Sequence, residues 1–216
     1  MRVRARLLCL IGLCVGCSRP EERPGVAPSA APEASVASAR PARNGAGVTA
    51  ENAAIAPEAS PRAKPACWLP TPDVAPEPAR AAAECPRDPG PVPVLPRGRV
   101  SFPDAPGAPS VETEIARENA HRQRGLMYRT ALPDGAGMIF SWPSEEPRAF
   151  WMRNTCIPLD MLFIALDGTI LGILEQVPVL NESPRGIPCP VAHVLEVNAG
   201  WTRRHGVHAG MRAIIQ

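Results

Sequence analysis

The chain has 216 residues, 28 of them proline, and a formal net charge of +2 at pH 7. That length bounds it to one or two domains. The near-balance of charge excludes the basic face that nonspecific DNA or RNA binding needs, and it implies no strongly charged substrate. Residues 18–96 hold 17 of the prolines but one aromatic, Trp68, whereas residues 97–216 hold the other eight. Only the second stretch carries the apolar bulk for a sizeable core. The expected organisation is one domain, 97–216, on a tether, 18–96, behind an address, 1–17.

Arg2, Arg4 and Arg6 form a basic start, followed by an apolar run from Leu7 to Gly16. The run is too short to span a bilayer, where about 20 residues are needed, but suits the apolar region of a secretory signal. Cys14-Val15-Gly16-Cys17 then resembles the bacterial lipobox, with Cys where Leu is commonest at position 14. That resemblance implies an acylated Cys17 as the mature N-terminus, and Ser18 after it fits the outer membrane better than the inner one. The bland alternative is an ordinary signal peptide that happens to end in Cys.

The tether reads as Pro/Ala-rich low complexity, as in Pro89-Gly90-Pro91-Val92-Pro93. Proline removes backbone donors, and few large apolar groups offset the entropy of ordering, so the segment is expected to be disordered. Cys67-Trp68 and Cys85 interrupt it and could close a loop that docks Trp68 on the domain. With Cys9 and Cys14 removed and Cys17 lipidated, four cysteines remain: Cys67, Cys85, Cys156 and Cys189. In an exported protein they imply two disulfides, with three possible pairings. Cys67–Cys85 and Cys156–Cys189 are favoured, because each pair stays within one compositional region. No CxxC or HxxxH spacing supports a metal site at these thiols.

In the domain, Val111–Ala116 alternates and reads as a strand with one wet face. Glu118 or Asn119 then caps a short helix ended by Gly125, for which a positive φ is expected. Met138–Trp142 and Arg148–Met152 read as strands, and Met161–Leu166 as a covered central one. Asp167-Gly168 turns the chain into Thr169–Leu174. His193–Val197 alternates again, Trp201–His205 is a helical turn stopped by Gly206, and Met211–Ile215 is a last strand. About seven short strands with one or two short helices predict a mainly β fold, a sandwich or partly open barrel.

Five linked motifs then carry a resemblance: Arg124-Gly125-Leu126-Met127-Tyr128-Arg129, Gly137–Phe140, Phe150–Thr155, Ile157–Asp160 and Val194–Gly200. In order and spacing they resemble the DUF192 family over roughly residues 97–216. The resemblance implies a mainly β fold and a site region, but no reaction, because no activity is established for that family.

The polar residues of these motifs are the candidate ligand-binding set: Arg124, Arg153, Asn154, Asp160 and Glu196. They lie beside apolar strands, where a charge is costly unless paired. Arg153 with Asp160 and Arg124 with Glu196 are possible ion pairs fixing the sheet. Alternatively the guanidinium groups line a cleft for a carboxylate, phosphate or sugar hydroxyl. Asp160 and Glu196 could also be a carboxylate pair for hydrolysis. Met127, Met138, Met152 and Met161 read as core, although with His193, His205 and His208 they could bind copper. No nucleophile elbow, catalytic triad order or phosphate loop is present.

The reading is a lipid-anchored protein of the cell envelope with a tethered, non-catalytic binding or accessory module. Its partners would be the membrane, through the lipid, and a small polar ligand or an envelope protein. No cofactor is implied. The alternatives are a hydrolase or carbohydrate-active enzyme using Asp160 and Glu196, and a copper-handling lipoprotein.

Overall fold

The computed structural model describes residues 65–216. The address, Cys17 and tether residues 18–64 lie outside the described residues. Seven strands form one mixed sheet: β1 (Arg97–Ser101), β2 (Ser110–Ala116), β3 (Ala136–Glu146), β4 (Leu159–Ile164), β5 (Ile170–Val177), β6 (Val191–Asn198) and β7 (Ile214–Ile215). Two short helices accompany them, α1 (Asn119–Arg124) and α2 (Trp201–Arg204). The order across the sheet is β5-β4-β6-β3-β2-β1-β7. The fold is mainly β, as expected. The sheet does not close into a barrel, although the chain before β7 reaches the start of β5, with the Ile170 N–H donating to the Met211 carbonyl at 2.9 Å.

Period-two alternation sends side chains to two faces, and each face buries a core. Val100, Val111, Ile115, Ile139, Leu162, Leu195 and Val197 share one core with Phe102 and Trp201. Met138, Phe140, Met161, Phe163 and Val194 lie in the other. β4 is buried along its whole length because both faces are covered, which is why its sequence does not alternate.

β2 and β3 are parallel, pairing Ile115 with Ile139. A parallel pair cannot be joined by a tight turn. Here the crossover is α1 with residues 125–135. α1 stops at Gly125, at φ +48° and ψ −139°, a conformation that a side chain opposes.

The strand expected at Arg148–Met152 is absent. That segment makes a single bridge, Phe150 with Arg185, and otherwise crosses the sheet as a loop. Its aromatics, which read as strand, are instead used to cover β3 and β4: Phe150 stands edge-on to Phe140, with centroids 5.0 Å apart, and to Phe163 at 6.3 Å. The strand the sequence reading missed is β1, Arg-Gly-Arg-Val-Ser, which has too few apolar residues to stand out from the proline-rich run before it.

The tether boundary also moves. Residues 65–96, expected to be disordered, are bound to the domain. The Leu69 N–H donates to the Leu171 carbonyl at 2.7 Å, and the Ala79 N–H to Gln176 Oε1 at 2.9 Å. Residues 69–79 thus lie beside β5 and partly cover an edge that would otherwise present unpaired backbone groups. The expected docking of Trp68 occurs, with its ring against Gly210.

The disulfides are Cys67–Cys189 and Cys85–Cys156, so the favoured pairing is incorrect. Pro70, Pro72, Pro76 and Pro78 keep the intervening chain extended, which carries Cys67 and Cys85 to different parts of the domain.

Arg203 clamps the same run. Its guanidinium donates to the carbonyls of Pro72, Asp73 and Val74 at 2.7–3.2 Å and pairs with Glu175, whose side chain is 3% exposed. Arg203→Ala is expected to cost about 2–3 kcal/mol, because it leaves Glu175 buried without its cation. Adding Glu175→Gln should recover part of that loss. Urea unfolding of both variants and the wild type tests this: an unchanged midpoint for Arg203→Ala would count against the clamp, and equal midpoints for the two variants against the buried-charge account.

Candidate functional site

The β2–α1–β3 crossover and the loop through 147–158 stand over one face of the sheet and enclose an open cavity of about 350 Å³. That lies within the ~300–1,000 Å³ of small-molecule sites. β6 contributes Glu196 to its lining, β3 contributes Phe140 and Trp142, the crossover contributes Arg122 and Arg124, and the loop contributes Arg148, Phe150, Trp151 and Thr155.

Glu196 is 4% exposed. In the sheet it is flanked by Met138 of β3 and Met161 of β4. Among the described residues no hydrogen bond or ion pair satisfies its carboxyl. Burial among apolar neighbours pushes its pKa up from 4.5 to about 8. The folded protein therefore holds this proton more tightly than the unfolded chain does. The stabilisation is complete below pH 4.5 and is lost as pH rises through the window up to about 8. Integrated over that window, the loss is on the order of 3–5 kcal/mol. Glu196→Gln, which cannot ionise, should gain on the wild type steadily from pH 5 to 8. Urea midpoints across pH check this, and a constant difference between the two proteins would refute it.

Three guanidinium groups surround the cavity. Arg122 and Arg148 both lie over the Trp142 ring, at 5.1 and 4.4 Å from its centroid. Arg122 donates to the carbonyls of Arg117 and Ser141 and has no carboxylate partner among the described residues. Arg148 meets Glu146 at 3.3 Å, while its buried Nε finds no acceptor. Arg124 stacks on Tyr128 and pairs with Asp88. The Gly90 amide, and then Arg124, hold the Asp88 carboxyl below the usual carboxylate range. Cys85, three residues before Asp88, is bonded to Cys156, the neighbour of Thr155 in the cavity lining.

Of the five candidate residues, the cavity brings together Arg124 and Glu196. Arg124 pairs with Asp88 and not with Glu196. Arg153 is half-exposed, 3.9 Å from Glu182 and unpaired with Asp160. Asn154, at φ +53°, donates to the Tyr128 hydroxyl at 2.8 Å and so ties the loop to the crossover.

Asp160 is fully buried and accepts four hydrogen bonds, from the N–H groups of Gln176, Gly200 and Thr202 and from the Thr202 hydroxyl, at 2.7–3.1 Å. It holds the start of α2. Paired residues of neighbouring strands share a face. Asp160 pairs with Val197, whereas Glu196 pairs with Met161, so the two carboxyls point to opposite faces of the sheet. They cannot flank one bond, and the hydrolytic pair has no geometric basis.

Cys67, Cys85, Cys156 and Cys189 are disulfide-bonded. Met138, Met152 and Met161 are at most 1% exposed within the core. His193 contacts the Ser141 hydroxyl at 3.0 Å, and His205 stacks on Trp201. No group of three His, Cys, Asp or Glu able to hold a metal occurs among the described residues. The sequence reading missed Arg122 and Arg148, which lie outside the linked motifs. The available signal was arginine close to tryptophan and phenylalanine, a pattern too common to single them out.

These features define an open mixed β-sheet protein with a cavity roofed by its own crossover. The chain belongs to the DUF192 family, described as uncharacterized ACR, which it matches over residues 103–215. It is similar to a candidate transcription regulator from Sinorhizobium meliloti 1021, at 38% identity over 58% of this chain and 98% of that one, with a TM-score of 0.54. It is also similar to a protein of unknown function from Novosphingobium aromaticivorans DSM 12444, at 35% identity over 62% of this chain and 94% of that one, with a TM-score of 0.55. No curated protein matches the chain.

Proposed function

We propose that this chain is a lipid-anchored protein of the cell envelope, exported by residues 1–17 and held at Cys17. Its β domain is a non-catalytic binding module that takes a small polar ligand in the cavity over Glu196. The observation that carries the reading is the Glu196 carboxyl, 4% exposed and without a protein partner, in the lining of a cavity that is open to solvent. Burying an unsatisfied carboxyl is costly, and a ligand that hydrogen-bonds it offsets that cost.

Among the described residues the Asp160–Glu196 carboxylate pair does not form, since Asp160 is committed to α2. A nucleic-acid role, as in the description of the Sinorhizobium protein, gains no support from residues 97–216, where 12 arginines are balanced by 12 acidic groups.

The test has two parts. Cys17→Ala should move the protein from the membrane to the soluble fraction. Native mass spectrometry of that soluble form should show a small molecule released on denaturation. Unchanged membrane association would overturn the anchor. A bare mass after exposure to a cell extract would overturn the ligand site.

A further inference from the structure

Resting on the reading of the cavity as a ligand site, we propose that its ligand is a small aromatic carboxylate. Its carboxylate would lie at Arg122 and Arg148, its ring against Phe150 and Trp151, and a polar ring substituent would meet Glu196.

The charge count selects a single negative charge. Arg124 is already neutralised by Asp88, and Arg148 has Glu146 beside it. Arg122 has only carbonyl partners among the described residues. Glu196, held protonated by burial up to about pH 8, adds no negative charge at neutrality and offers a donor. The surplus is one cation, which fits a carboxylate better than a phosphate monoester carrying about −1.5 to −2.

The geometry selects a carboxylate as well. Arg122 and Arg148 both lie over one Trp142 ring and also donate to main-chain carbonyls, Arg148 to Ser144, so both are held in place before any ligand arrives. The buried Arg148 Nε is a donor still without an acceptor. Planar guanidinium donors match the two oxygens of a carboxylate.

The remaining wall selects a ring. Phe150 stands edge-on to Trp142 at 6.2 Å. Trp151 lines the cavity while 48% exposed. An indole left that open offers a stacking surface to a flat apolar body.

Calorimetric titration of the disulfide-bonded protein with four probes tests the assignment: 4-hydroxybenzoate, its uncharged methyl ester, tyramine and phenyl phosphate. 4-Hydroxybenzoate should bind at least about tenfold tighter than each of the others. Arg122→Gln should abolish its advantage over the methyl ester. Trp151→Ala, a change at an exposed position, should weaken 4-hydroxybenzoate and the ester alike.

Equal or tighter binding of the ester or tyramine, or a preference that survives Arg122→Gln, overturns the carboxylate assignment but leaves the cavity a ligand site. Tighter binding of phenyl phosphate also overturns it. Silence from all four probes overturns the aromatic carboxylate. The broader binding reading fails only if native mass spectrometry also finds nothing bound.

Discussion

Asp160→Ala is expected to lower stability by about 3–5 kcal/mol, as much as truncating a fully buried aromatic of the core. The carboxyl is fully buried and accepts from three backbone N–H groups and one hydroxyl. Alanine would leave those donors without an acceptor, and each buried, unsatisfied donor costs about 1–3 kcal/mol, with less than full additivity.

The local geometry depends on the same group. The β4–β5 register shifts between Leu159 and Met161, and Gln176, at φ +52°, delivers its N–H to Asp160 across that irregularity. On the other side, Gly200 at φ +76° delivers the N–H that starts α2. Two controls separate the contributions. Thr202→Val removes only the hydroxyl donor and should cost about 1 kcal/mol. Asp160→Asn keeps one acceptor oxygen and should fall between the two. Urea unfolding monitored by tryptophan fluorescence reads all three. An Asp160→Ala midpoint as high as that of Thr202→Val would show that the four hydrogen bonds do not hold α2.

Breaking either disulfide is expected to have an effect of similar size. Cys67–Cys189 spans 122 residues and Cys85–Cys156 spans 71. In the chain-entropy model each is worth about 4–5 kcal/mol, acting mainly through the unfolded state. Reduction should therefore lower the melting temperature sharply. It should also expose residues 65–96 to proteolysis, since apart from the chain's own entry into β1 these bridges are the covalent ties between that run and the domain.

The connectivity has its own readout. Trypsin cleaves after Arg80, Arg87, Arg153 and Arg185, which places the four cysteines on four peptides. Without reductant, peptide 63–80 should remain joined to 186–203, and 81–87 to 154–185. Peptide 63–80 joined to 81–87 would restore the pairing favoured by composition. Cys85→Ser should also free Asp88 from Arg124, leaving a second uncompensated cation at the cavity, and should strengthen binding of any anion there.

The strands from β2 onward were legible because β2 alternates, β4 is an unbroken apolar run, and Gly125, Asp167-Gly168 and Gly200 punctuate them. Arg148–Met152 misled for a physical reason: aromatics covering a sheet from outside have the same composition as a strand within it. Residues 65–96 misled for another. Proline-rich chain has too little apolar surface to order itself, but it orders along a sheet edge that supplies hydrogen-bond partners, with two disulfides to loops of the domain.

The sequence by itself determined the mainly β class, the family, the helix stop at Gly125 and the presence of two disulfides, all of which depend on residue type, local order or simple count. Only the tertiary structure decided which cysteines meet, that Asp160 anchors α2 while Glu196 lines a cavity, and that Arg122 and Arg148 face that cavity. Alternation tells that neighbouring residues point to opposite faces. It does not tell which strand lies alongside, what covers each face, or where an extended segment returns to the sheet, because those are contacts between residues far apart in the chain.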